Sequence, residues 1–125
     1  MTHGDRDRIA QLPGPLAEFV SETLRPWIDY SIQTRRLPGC WIHDALVVAW
    51  LINQDVARAA DYYVDVELRP GMTRGKSWRY RPPLRLDVGI DQPEGGLIHV
   101  LQSVDNDLLL AMLEKYLAMT QPAIP

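Results

Sequence analysis

The segment that most restricts what this chain can fold into is Ala45-Leu46-Val47-Val48-Ala49-Trp50-Leu51-Ile52, eight consecutive apolar residues without a charge. It is far shorter than the roughly 20 residues a helix needs to cross a bilayer, so no membrane span is expected. A helix built from it is apolar on every side, which predicts a short helix enclosed by protein rather than one lying on a surface. Asp44, immediately before the run, is its expected N-cap. The cover has to come from a chain of 125 residues with 46% apolar and 23% charged residues, the proportions of one folded domain. Residues 1–125 therefore read as a single unit without a linker or an internal repeat.

The rest of the pattern predicts an α/β chain, helices first, then several short strands and a terminal helix. Thr2-His3-Gly4-Asp5 fits a capping box opening a short helix to about Leu12. Pro13-Gly14-Pro15 breaks it. Leu16, Phe19, Val20, Thr23, Leu24, Trp27, Ile28 and Ser31 then recur at helical spacing to near Arg36, with a kink or a fresh start expected at Pro26. From Tyr62 to Leu68 the residues alternate, with Tyr62, Val64, Val66 and Leu68 on the face expected to be buried. Further strands are expected over 76–80, 84–90 and 97–104, separated by Pro82-Pro83 and by the turn at 91–96. Asp105 caps a last amphipathic helix through Leu108, Leu109, Met112, Leu113, Tyr116 and Leu117, and the tail after Thr120 is expected to be loose.

A net charge of -3 gives no general attraction to phosphate backbones or anionic membranes, so nucleic acid is not an expected partner. The opening residues carry charges of both signs and lack the apolar stretch of a secretory signal, which points to the cytoplasm. Cys40 is the single cysteine, so neither an internal disulfide nor a thiolate metal cluster is available, and it is expected to pack beside Trp41.

His43-Asp44 is the pair most suggestive of chemistry. An imidazole able to donate a proton stands beside a carboxylate able to bind a hard cation, both at a helix entrance. The plain alternative makes Asp44 a helix cap and His43 a loop residue. His3 and His99 have no companions at metal-ligand spacing and are assigned to structure. A His-Asp phosphohydrolase would need further histidines ahead of the pair, and only His3 precedes His43. Gly95-Gly96 precedes a strand rather than a helix, so no phosphate loop is present.

Gly39-Cys40-Trp41-Ile42-His43-Asp44 and the apolar run after it resemble the His-Asp segment of the inosine-uridine nucleoside hydrolase family. Tyr63-Val64-Asp65-Val66-Glu67-Leu68 and Met72-Thr73-Arg74-Gly75-Lys76-Ser77 resemble the strand and Thr-Arg-Gly turn that follow it there. Ala45 departs from the family, which usually has proline after the pair. The family also begins with a strand ending in an aspartate cluster that holds most of a calcium ion. Asp5-Arg6-Asp7 and Asp105-Asn106-Asp107 offer only its first half, because Gln11-Leu12 and Ala111-Met112 stand where paired aspartates should follow. The chain thus resembles the C-terminal portion of a nucleoside-hydrolase-like fold.

That resemblance implies hydrolysis of the N-glycosidic bond of a ribonucleoside with calcium, in purine and pyrimidine salvage. His43 would be the catalytic acid that protonates the leaving base and Asp44 one calcium ligand. Trp27 and Tyr30 would border the base, unless they simply pack a helix. Two readings follow: a portion of a calcium-dependent hydrolase whose remaining ligands lie elsewhere, with calcium weak or absent on this chain alone, or a non-catalytic module retaining a relic His-Asp pair. A partly uncovered apolar face predicts a homo-oligomer.

Overall fold

The computed structural model describes residues 1–81 and 95–119, so the strand expected at 84–90, most of the turn at 91–96 and the tail after Thr120 lie outside the described residues. The described chain gathers into two compact units: the first holds residues 1–56 and the chain from Asp105 onward, the second residues 57–104.

The first unit opens with α1 (His3–Ala10), and its start is the expected capping box. The Thr2 hydroxyl accepts from the Asp5 N–H at 3.3 Å, while the Asp5 carboxylate accepts from the Thr2 N–H at 2.7 Å and from the hydroxyl at 2.8 Å. The chain then turns at Gly14, whose φ of 107° is open to glycine and costly for other residues, and Pro15 occupies the first position of α2 (Pro15–Arg35). The apolar faces of the two helices meet the last helix, α4 (Asn106–Ala118). Ile9, Ala17 and Leu117 form a buried cluster ringed by Met1, Leu12, Leu16, Val20, Leu24 and Leu113. Arg6 reaches α2 through the Ser21 carbonyl and the Glu22 carboxylate, and Arg8 bonds Glu114 of α4 at 3.0 Å. α2 runs through Pro26 as one helix, so no fresh start occurs there. It ends at Arg36, held in the left-handed region at φ 54° with its N–H on the Ser31 carbonyl.

The loop after α2 comes back to the chain's first residues. Gly39 and Cys40 are buried against Met1, whose carbonyl accepts the Cys40 N–H at 2.9 Å. α3 (His43–Ile52) follows, and two expectations are corrected here. Its N-cap is Ile42, without a side-chain cap bond, and Asp44 stands inside the first turn, where its charge still meets the positive helix end. The helix is also not enclosed. Ala49 is buried and Ala45, Leu46 and Trp50 partly so, whereas Val47, Val48, Leu51 and Ile52 are 52–71% exposed. Among the described residues its main neighbours are α4 and the 3-10 turn Gln54–Val56, which leave these four side chains uncovered. Asp105 caps α4 as expected, accepting from the Leu108 N–H at 3.0 Å, and its own N–H donates to the Val56 carbonyl at 2.9 Å.

The second unit is a three-stranded antiparallel sheet of order β2-β1-β3, with β1 (Ala57–Val66) in the centre, β2 (Ser77–Tyr80) and β3 (Ile98–Val104) at its sides. β1 starts five residues before the expected Tyr62, and the extra length pairs with β3 through a bulge between Arg58 and Ala59. On the face expected to be buried, Tyr62 is fully so and Val64 partly, but Val66 and Leu68 are exposed. The Arg79 and Arg81 guanidinium groups lie over the Tyr62 ring, and Arg81 also bonds its hydroxyl. In the β1–β2 connection Gly75, at φ 84°, donates its N–H to the Glu67 carbonyl at 2.8 Å. Among the described residues no helix is long and apolar enough to cross a membrane.

Candidate functional site

His43 and Asp44 are the first two residues of α3, and both side chains are exposed. The helix begins here because Ile42 offers its carbonyl to the Leu46 N–H at 3.1 Å while its own backbone is not helical. With no side-chain cap, the first N–H groups of α3 stay open at the same end as the imidazole. The His43 ring lies 5.7 Å from the Trp41 ring at a tilt of 50°. Asp44 has no hydrogen-bond or ion-pair partner among the described residues. Donors, a titratable ring and an unengaged carboxylate are thus gathered at one helix entrance, an arrangement suited to passing a proton to an acceptor and holding a polar ligand.

Immediately upstream, Cys40 is only 2% exposed, and burial pushes its thiol pKa above the ordinary value. It is a packed thiol rather than a nucleophile.

Trp27 and Tyr30, one helical turn apart on α2, stack with ring centroids 5.5 Å apart and an interplanar angle of 17°. They are 41% and 45% exposed, not core residues. The Arg35 guanidinium lies over both rings, at 5.5 and 5.8 Å from their centroids. The structure therefore brings Trp27 and Tyr30 to each other and gives His43 a different aromatic neighbour, Trp41. Trp41 and Arg35 were not singled out as site residues from the sequence. The signal for Arg35 was present in its helical distance from Trp27 and Tyr30, whereas Trp41 meets His43 across a non-helical cap, where no periodicity applies.

The remaining histidines have structural partners. His3 pairs with Asp29 at 2.9 Å, tying α1 to α2, and His99 pairs with Asp61, its cross-strand neighbour, at 2.6 Å.

Calcium takes six to eight oxygen ligands. Among the described residues no group of three or more His, Cys, Asp or Glu could hold a metal ion, and Asp44 offers one carboxylate. The donor set of the described residues does not fit calcium.

A family model described as inosine-uridine preferring nucleoside hydrolase matches residues 1–111. The pyrimidine-specific ribonucleoside hydrolase RihA of Shewanella sp. (strain MR-7) is 33% identical over 76 residues, covering 57% of this chain and 23% of that protein. The putative pyrimidine-specific ribonucleoside hydrolase RihB of Shigella dysenteriae serotype 1 is 29% identical over 70 residues, covering 56% and 26%. Among solved structures, a plant nucleoside hydrolase superposes with a TM-score of 0.77 at 14% identity, over 96% of this chain and 37% of its own, which shows a shared fold. The chain spans about a quarter of the length of the curated relatives it matches.

Proposed function

The chain belongs to the inosine-uridine preferring nucleoside hydrolase family, and from that premise we propose that it carries the C-terminal, proton-donating part of a site that hydrolyses the N-glycosidic bond of a ribonucleoside. The observation that carries the reading is the family match across the helix entrance where His43 and Asp44 stand exposed. In the reaction the bond between the ribose C1′ and the base nitrogen breaks, and the base leaves with the electron pair. Water adds to C1′ and gives up a proton. His43 donates a proton to the departing base, a step typically worth roughly 10²–10⁴-fold in rate. Trp27 and Tyr30 border the base. The printed names of the curated relatives support pyrimidine ribonucleosides as the substrate class. Asp44 would contribute a carboxylate to a calcium site whose other ligands are not found among the described residues, so no step is derived through the metal. The exposed apolar face of α3 supports a homo-oligomer, a net charge of -3 gives no general attraction to nucleic acid, and the charged opening residues support a cytoplasmic location.

The second reading, a non-catalytic module, is favoured by the lack of a metal-binding group among the described residues. Hydrolysis of uridine and inosine in calcium separates the two. The 125-residue chain is assayed alone and mixed with the aspartate-bearing N-terminal part of a RihA relative. Turnover is expected only in the mixture, falling by roughly 10²–10⁴-fold for His43→Ala, with a far smaller loss on nitrophenyl riboside, whose leaving group needs no proton. Equal losses on both substrates would remove His43 from the acid's role, and no turnover in the mixture would leave the non-catalytic reading.

A further inference from the structure

The sheet of the second unit sorts its charges by face. Successive residues of β1 point to opposite faces, so Asp61 and Asp65, the carboxylates of the three strands, lie on the side away from Tyr62 and Val64. The Tyr62 side carries cations instead. Arg79 stands opposite Val64 in the register, Arg81 follows the end of β2, and their guanidinium groups lie 5.1 and 5.6 Å from the centroid of the buried Tyr62 ring. The Tyr62 hydroxyl accepts from Arg81 Nε at 3.2 Å and Nη2 at 3.1 Å, and it donates to Gln102 Oε1 at 3.5 Å. The same Gln102 oxygen accepts from Arg79 Nη1 at 3.3 Å. Gln102 reaches this point because it is the extra residue of the bulge: Ala59 pairs with Leu101 and Arg58 with Ser103, which leaves Gln102 without a partner on β1. Its Nε2 donates to the Val100 carbonyl at 3.2 Å and so keeps the amide oxygen turned toward the cations.

Two like charges held against one ring repel each other, and the acceptors that hold them here are neutral. Among the described residues neither guanidinium has a carboxylate partner, and of the five N–H donors that each carries, Arg79 engages one and Arg81 two. The remaining donors and both charges are unspent. We propose that Arg79 and Arg81 form a binding site for one phosphate group, with Tyr62 and Gln102 as the residues that position them. A phosphate monoester carries a charge of about -1.5 to -2 at neutral pH and so matches both cations, whereas a carboxylate would leave one of them uncompensated. Its oxygens also accept from the forked edge of a guanidinium two at a time, which an exposed lysine could not reproduce. The site is a local exception on a chain of net charge -3, and two cations are too few to follow a nucleic-acid backbone, so the ligand is a small phosphate. All four residues belong to the second unit, and the proposal does not rest on the hydrolase reading.

The test is titration of the 125-residue chain with inorganic phosphate at constant ionic strength, sodium chloride making up the difference. Calorimetry reads the affinity, and the Nε–H signals of Arg79 and Arg81 in nuclear magnetic resonance read the place. The expected result is one saturable site, half-filled at about 1 mM or below, that shifts both signals, with acetate at least about tenfold weaker. Arg79→Gln and Arg81→Gln should each weaken phosphate at least about tenfold, while Arg69→Gln, an exposed arginine beyond the end of β1, should change nothing. Gln102→Glu is close to isosteric at an exposed position, so it keeps the test decisive if loss of an arginine disturbs the sheet. Its carboxylate would supply the missing anion, abolishing phosphate binding and raising the melting temperature of the phosphate-free chain. Uridine 5′-monophosphate should lose its binding with the same variants, and uridine should leave both signals unmoved. A nucleotide that binds tighter than inorganic phosphate identifies a nucleotide as the source of the group, and equal affinities identify free phosphate. No saturable binding to the parent overturns the proposal. So does equal binding of acetate, a shift of both signals by uridine, or phosphate binding undiminished in the two arginine variants or in Gln102→Glu.

Discussion

Gly39 is the position where one added carbon should do the most damage relative to its size. A Cβ there would fall well inside contact distance of the Met1 carbonyl oxygen, 3.0 Å from its carbon and 3.2 Å from the Thr2 Cα. All three atoms are backbone, so no side chain can rotate aside. In Gly39→Ala the first two residues must withdraw, and the Met1 carbonyl then loses the Cys40 N–H that it accepts at 2.9 Å. Leaving that buried donor unpaired costs about 1–3 kcal/mol. Any residual crowding adds up to a similar amount, for a total of about 1–6 kcal/mol, a large share of the roughly 5–15 kcal/mol that holds a small domain together. Two measurements read the result. The urea midpoint should fall, and the native-state reaction of Cys40 with a thiol reagent should accelerate at least about tenfold, since its burial and its raised pKa both protect it in the parent. An unchanged midpoint together with an unchanged thiol rate would refute the close approach of Met1 to Gly39 and with it the argument from sterics.

Ile9→Ala removes a fully buried side chain from the cluster with Ala17 and Leu117 and should cost about 2–5 kcal/mol in chemical denaturation, a loss under about 1 kcal/mol meaning that the site collapses around the gap. Thr2→Ala should cost about 1 kcal/mol by removing the helix cap, and it should also flatten the acid limb of stability. Burial alone would raise the Asp5 pKa, but the Thr2 backbone and hydroxyl bonds and the nearby Arg8 outweigh it and hold the carboxyl below its ordinary 3.8. A depressed folded pKa gives stability that is present above the unfolded value and lost as pH falls through the folded one. Melting temperatures followed from about pH 5 to about pH 2 should therefore drop more steeply in the parent than in Thr2→Ala, and parallel curves would contradict the assignment.

Features carried by local chemistry could be read from the sequence. The Thr2–Asp5 capping box, the helix over Leu16 to Ser31, the strands at 76–80 and 97–104 and the Asp105 cap each need only a few neighbouring residues to be specified, and the structure has them, although Phe19, Thr23 and Trp27 of the expected helical stripe are exposed. The start of β1 was hidden because Ala57-Arg58-Ala59-Ala60 lacks β-branched residues, and its strand character comes from pairing with β3. The exposure of α3 was hidden for a different reason. An all-apolar run states that the helix wants cover but not which neighbour supplies it, and among the described residues Val47, Val48, Leu51 and Ile52 have none that buries them. At the site, His43 and Asp44 were evident as adjacent residues, while the Trp41 ring beside His43 and the contact of Gly39 with Met1 depend on where the chain returns in space.

The hydrogen bond between the Val56 carbonyl and the Asp105 N–H joins the two points where the chain leaves and re-enters the first unit. Everything between them, residues 57–104, is topologically one long loop on that unit, and closing a loop of this length costs on the order of 3 kcal/mol in chain entropy. During synthesis on a ribosome, Ile9 and Ala17 emerge long before Leu117, the third member of their cluster. The nascent first unit must therefore wait, with an incomplete core, until the whole intervening sheet has been made. The adjacency also offers a protein engineer a clean splice. Joining residue 56 to residue 105 by a short turn removes the sheet without asking either side of the junction to move far, and it shortens the wait to the time needed to translate a single helix.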